Sequence, residues 1–71
     1  MRYGELTRRL RRLGARQVEQ RTRHEMWYNP RTERFSYVPR HRGEVATGTL
    51  HKILQDLGIG RDEFEQGGRR D

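Results

Sequence analysis

Apolar side chains recur at helical spacing in only two places in this chain, and the rest of any fold must be fitted around them. Leu6, Leu10 and Leu13 lie at i, i+4 and i+7; Leu50, Ile53, Leu54 and Leu57 lie at i, i+3, i+4 and i+7. Each set draws one stripe on a 3.6-residue period, so each predicts a helix with a single buried face. The first helix is expected over Glu5–Leu13. Glu5 stands in its first turn and Arg8, Arg9, Arg11 and Arg12 follow, an order that suits the helix dipole. Gly14 is placed to end it in a left-handed cap. The second helix is expected from Thr49 to Leu57, with Thr47 or Thr49 capping its start and Gly58 its end.

The sequence between the stripes is β-compatible. Ala15–Gln20 is a short, weak strand candidate whose best apolar residue is Val18, and Arg21–Arg23 reads as a polar turn. His24–Tyr28 and Arg34–Val38 are aromatic strands, and Asn29-Pro30-Arg31-Thr32 between them has the chemistry of a hairpin turn. Pro39 lacks the N–H a ladder needs, so it should end the third strand or sit at an edge. Residues 39–47 form a basic loop. Arg61–Gln66 adds a turn of helix carrying Phe64, and residues 67–71 read as a disordered tail.

With 71 residues, a single domain over residues 1–66 is expected. Its class is α+β: helix, three strands, helix, with a three-stranded antiparallel sheet and two helices on one face. Two helices with one stripe each leave the other face of the sheet open to water or to a partner. Which strand residues face which way depends on parity. His24, Met26 and Tyr28 share one side; Glu25 and Trp27 share the other. If Trp27 packs under the helices, His24 faces the open side; if Met26 is the core residue, His24 sits at the strand's edge. A core this small needs aromatic area, so Trp27 and Tyr28 are both read as core.

The net charge is +6, from fifteen Arg and one Lys against ten acids. Arg carries a planar fork of donors that matches phosphate, which suits a polyanionic partner, nucleic acid or an acidic protein. The plain alternative is a solvated basic surface. There is no cysteine, which removes disulfides and thiolate metal sites. No apolar run approaches the ~20 residues of a membrane span, and Met1 is followed by polar, charged sequence. The chain reads as soluble and cytoplasmic.

Two of the three histidines fall in one block, TRHEMWYNPRTERFSYVPRH, residues 22–41. Taken alone, His24 is a strand or surface residue. His41 lies on a loop between Arg40 and Arg42, where it contacts phosphate, orders the loop, or serves as a further acid or base. His51 falls on the second helix at its rim. The histidine spacings of 17 and 10 residues match no common metal-ligand motif, so no metal is expected. No Ser-His-Asp set, P-loop or glycine-rich nucleotide fingerprint is present, and no cofactor is expected.

The order of elements and the residues at their joints resemble the HicA family of bacterial toxins. Thr22-Arg23-His24-Glu25-Met26-Trp27-Tyr28-Asn29-Pro30 resembles the segment that carries the family's catalytic histidine. Val38-Pro39-Arg40-His41 resembles its Val-Pro-x-His signature, and Gly48 to Ile59 resembles its second helix. Arg21 stands where the family usually has Gly, and Thr22, which keeps a hydroxyl, where it often has Ser. The resemblance implies a fold like that of double-stranded-RNA-binding domains (dsRBD-like, α-β-β-β-α). It implies endonucleolytic cleavage of mRNA and a neutralising HicB-type antitoxin as partner. On that reading His24 is the catalytic acid or base, imidazole being the side chain that titrates near neutrality. Arg21, Thr22, Arg23, Arg40, His41, Arg42 and Lys52 are then the expected contacts to RNA and its phosphates.

Overall fold

Both stripes turn inward in the computed structural model, which describes residues 1–40 and 43–69. The elements are α1 (Tyr3–Arg12), β1 (Arg16–Gln20), β2 (His24–Asn29), β3 (Arg34–Pro39), α2 (Thr47–Leu57) and α3 (Arg61–Arg69). His41 and Arg42 lie outside the described residues. So do residues 70 and 71, the end of the segment read as a tail; the turn expected at Arg61 is a helix that continues to Arg69.

α1 begins two residues earlier than its stripe suggests, and Leu6 and Leu10 are fully buried. Gly14 follows its end at φ 95°, the left-handed conformation expected there. α2 is not capped by a threonine. The chain enters it extended at Ala46, whose carbonyl accepts from the Leu50 N–H at 2.9 Å. The first turn therefore closes one residue before Thr47, and both threonines stand inside the helix. α3 buries Phe64, over which the Arg9 guanidinium of α1 lies 5.3 Å from the ring centroid.

The sheet has the order β1-β2-β3, antiparallel throughout, with β2 in the middle. β2 pairs with β3 without a break, from His24 opposite Pro39 to Asn29 opposite Arg34. Pro39 thus ends an edge strand, where its missing N–H disrupts no ladder. β1 is less regular: Gln17 faces Trp27 but Glu19 faces Met26, so Val18 is bulged out of register. Val18 is 48% exposed and is not the apolar anchor of its strand.

Trp27 is completely buried among Leu6, Leu10, Ile53 and Leu57, and the Arg11 guanidinium of α1 lies 5.0 Å from its ring centroid. Glu25 and Asn29 share its side of β2, and Ser36 and Val38 share it on β3; all four are buried. The helices therefore form one layer on one face. His24, Met26 and Tyr28 face the other side, with Phe35 and Tyr37 from β3. Tyr28 is half-buried there against Phe35, ring centroids 4.6 Å apart, rather than in the core. Successive strand residues point to opposite faces, so Trp27 and Tyr28 cannot share one.

The β2–β3 hairpin closes onto the C-terminus of α2. Three of its side chains donate to carbonyls that the helix leaves unpaired. Asn29 Nδ2 reaches the Leu57 carbonyl at 3.0 Å, Thr32 Oγ1 the same oxygen at 2.7 Å, and Arg34 Nε the Asp56 carbonyl at 2.9 Å. Gly58 lets the turn come this close: it sits at φ 71°, and a Cβ there would meet Arg34 Cδ and Thr32 Cγ2 at 3.0 Å. Asn29 is wholly buried, and its Oδ1 also accepts from the Arg31 N–H at 3.2 Å. Asn29→Ala should therefore lower unfolding free energy by about 1–3 kcal/mol in a denaturant titration. Gly58→Ala should destabilise in the same assay, through both its left-handed φ and the crowding.

Candidate functional site

His24 opens β2 immediately after a tight turn. The Arg21 N–H donates to the His24 carbonyl at 2.8 Å, which closes residues 21–24 and leaves the side chains of Thr22, Arg23 and His24 exposed. The parity set by Trp27 turns the imidazole to the open face of the sheet. There it meets the edge of Tyr37, with ring centroids 6.3 Å apart and planes at 78°. Arg21, His24 and Tyr37 line an open concavity of about 450 Å³. The Arg21 guanidinium is paired with Glu19 at 2.7 Å. Both partners are well exposed, so the pair is weak and a phosphate can compete for the arginine.

The far end of the hairpin arrives at the same place. Because Pro39 stands opposite His24, the next residue, Arg40, reaches the β1–β2 turn. Its N–H donates to the Arg23 carbonyl at 2.9 Å and its Nη1 to the Arg21 carbonyl at 3.2 Å. The two polar ends of the aromatic block, separate in the sequence, are stitched together here. His24, Arg21, Thr22, Arg23 and Arg40 form one cluster. Lys52 does not belong to it. It stands on α2, in the layer behind the sheet, and pairs with Asp56 at 3.1 Å. His51 is exposed on the same helix. His41 and Arg42 follow Arg40 directly but lie outside the described residues.

Glu25 was not singled out from the sequence, where it reads as one more polar strand residue. It is 4% exposed and points under the helices. Its carboxylate accepts from the Tyr3 hydroxyl of α1 and from Trp27 Nε1 at 2.7 Å, and lies 3.7 Å from Arg40 Nε. One buried carboxyl group thus links α1, the core tryptophan and the arginine bonded to the turn before His24. A buried carboxylate must be paired and hydrogen-bonded to be tolerated. The signal for it was the i, i+2 spacing from Trp27, which puts both on the covered side.

The model of the HicA toxin of bacterial toxin–antitoxin systems matches residues 3–59, from the start of α1 past the end of α2. The chain belongs to the HicA toxin family. A search among curated proteins gives no match. Within this HicA-family chain the match takes in the cluster around His24 and leaves α3 outside. No helix among the described residues is long and apolar enough to cross a membrane.

Burial, with the hydrogen bond and charge of Glu25 next, pushes the Tyr3 phenol up to about 12 from its ordinary 10.0. The folded state holds this proton more tightly than the unfolded chain does. Its contribution to stability is therefore complete below pH 10 and is lost as the pH rises from about 10 to about 12. Thermal melts across that range should show a stability loss that is smaller in Tyr3→Phe. The difference in phenolate absorbance between the wild type and Tyr3→Phe should show a phenol that ionises at about pH 12.

Proposed function

We propose that this HicA-family chain is the toxin of a type II toxin–antitoxin pair and cuts mRNA without a metal, with His24 as general acid or base. The observation that carries this is an exposed imidazole in an open concavity that Arg21 also lines, with Arg40 bonded to the same turn. Cleavage of an RNA strand through its own 2′-hydroxyl needs two proton transfers. One proton leaves the 2′-oxygen as it attacks phosphorus; another reaches the 5′-oxygen as the P–O bond breaks. An imidazole serves either transfer. Charge that builds on the phosphate oxygens needs fixed cations, and Arg21, Arg23 and Arg40 surround the turn that presents His24. Thr22 adds a hydroxyl donor. Lys52 stands apart from this cluster and takes no part in the step.

The proposed partner is a HicB-type antitoxin, in keeping with the family, and the proposed setting is the cytoplasm, where mRNA is met. An antitoxin that covers the open face would inhibit by burying His24. A second reading, a non-catalytic RNA-binding module, is favoured by one observation. Glu19 pairs with Arg21 and offsets the cation that shares the concavity with His24.

Incubation of the pure protein with RNA in EDTA separates the two readings. The proposal expects cleavage that survives EDTA and falls by about 10²-fold or more in His24→Ala, with thermal stability unchanged because the side chain is exposed. Equal cleavage by both proteins would remove His24 from the mechanism. Intact RNA after long incubation, together with salt-sensitive binding, would favour the binding module.

A further inference from the structure

We propose that the open face of the sheet is a stacking platform for single-stranded RNA, on which Tyr37 and Phe35 hold unstacked bases while Arg21 and His24 meet the adjoining phosphate. The choice of RNA as occupant rests on the function proposed above; the platform itself rests on the rings. In a chain with only 30% hydrophobic residues, Phe35 is 53% and Tyr37 60% exposed. No described helix covers them, because the helical layer lies on the other face. Their positions are set by the ladder. Phe35 lies opposite Tyr28, Tyr37 opposite Met26, and Pro39 opposite His24. Along β3 the two exposed rings are two residues apart, about 6.6 Å by strand rise, in a row that leads to the His24 turn. Tyr37 belongs to both parts: its ring meets the imidazole edge-on and lines the same concavity.

The chemistry of the face favours a nucleic acid strand over other occupants. Nucleobases stack on exposed aromatic rings whatever their sequence, and such sites pair rings with a basic track for the backbone. Phe35 packs beside the tilted Tyr28 ring of the neighbouring strand, with centroids 4.6 Å apart, which widens the aromatic surface. Arg16 stands opposite Tyr28 on β1 and is exposed, while Arg21 stands at the other end of the row. Glu19, opposite Met26, is occupied by Arg21. A second copy of this chain would bring the same net charge of +6 to the same cations. A duplex would present phosphates and 2′-hydroxyls but keep its bases stacked within the helix, out of reach of the rings. The face therefore selects unpaired RNA, and places its scissile phosphate by gripping the bases beside it.

The test uses the wild-type protein with 2′-O-methylated RNA, which lacks the attacking hydroxyl, so that binding is read without cleavage. The probes are a short fluorescein-labelled single strand of this RNA and the same strand annealed to its complement. Tyr37→Leu and Phe35→Leu keep apolar bulk but remove the ring. Each should weaken single-strand binding by about 5- to 150-fold and leave duplex binding unchanged. Tyr37→Trp, which keeps a ring, should keep the affinity. Melting curves establish that the variants are folded. No single-strand binding by the parent, or equal loss for strand and duplex, overturns the platform. So does unchanged RNA binding in leucine variants that no longer co-purify with a co-expressed antitoxin, since the face would then belong to the protein partner. Ring-dependent binding with no RNA cleavage by the His24-containing protein would keep the platform and sink the nuclease. Cleavage whose KM is indifferent to Tyr37→Leu, with binding equally indifferent, would keep the nuclease and sink the platform.

Discussion

The burial of Trp27 against Glu25 is the contact on which the orientation of this molecule depends. The indole fills the centre of the core and donates its N–H to the Glu25 carboxylate at 2.7 Å. Two residues apart on one strand, these side chains must point the same way. Turning both under the helices turns His24, Met26 and Tyr28 out. The unbroken pairing of β2 with β3 carries that choice to the neighbouring strand, where Ser36 and Val38 go in and Phe35 and Tyr37 go out. A one-residue slip would expose the tryptophan, leave a buried histidine without its present surroundings, and separate Glu25 from Tyr3.

Polar ties at both ends of the hairpin join the sheet to the helices around this contact. At one end of the hairpin, Asn29, Thr32 and Arg34 satisfy the terminal carbonyls of α2. At the other, Glu25 holds Tyr3 of α1 from within the covered face and lies beside Arg40 at its rim. The second tie reaches the candidate site from behind, because Arg40 is the residue whose backbone and guanidinium stitch the β1–β2 turn. In a domain with so small a core, these side-chain bonds do work that apolar area performs in larger proteins. They also make the turn before His24 a part of the sheet's framework. That bears on Arg21, where the resemblance led to an expected Gly: its φ is not among the positive ones, so the turn here does not require glycine.

Much of this could be read in advance, and the failures have physical causes. The leucine stripes located two helices because burial on one face forces a 3.6-residue repeat. Gly14 and Gly58 located their ends because a left-handed cap excludes most side chains. The aromatic strands and their turn were legible for the same kind of reason. Val18 misled because a bulge breaks the alternation on which strand reading relies. Tyr28 misled because composition argued for aromatic area in the core, while parity allowed only one of two successive aromatics there. The threonines near residue 48 misled because the helix begins one residue earlier, where an extended Ala46 supplies a carbonyl but no side-chain cap. Glu25 was passed over because a glutamate in a strand has no chemical signature until its neighbours are known. His24 entered through resemblance to a family, since a lone histidine at a strand start carries little signal of its own.

The linear sequence determined which segments are helices and which are strands, where the hairpin turns, and that one face of the sheet would stay uncovered. These follow from local periodicity, turn chemistry and a shortage of apolar residues. Tertiary structure decided which face that would be, and with it the setting of His24 beside Tyr37 and Arg21. It also brought Arg40 to the histidine's turn and gave Glu25 its partners. The reason is that alternation along a strand is symmetric. It sorts residues into two sides but does not say which side meets the helices, and only the packing of Trp27 beneath them breaks that symmetry.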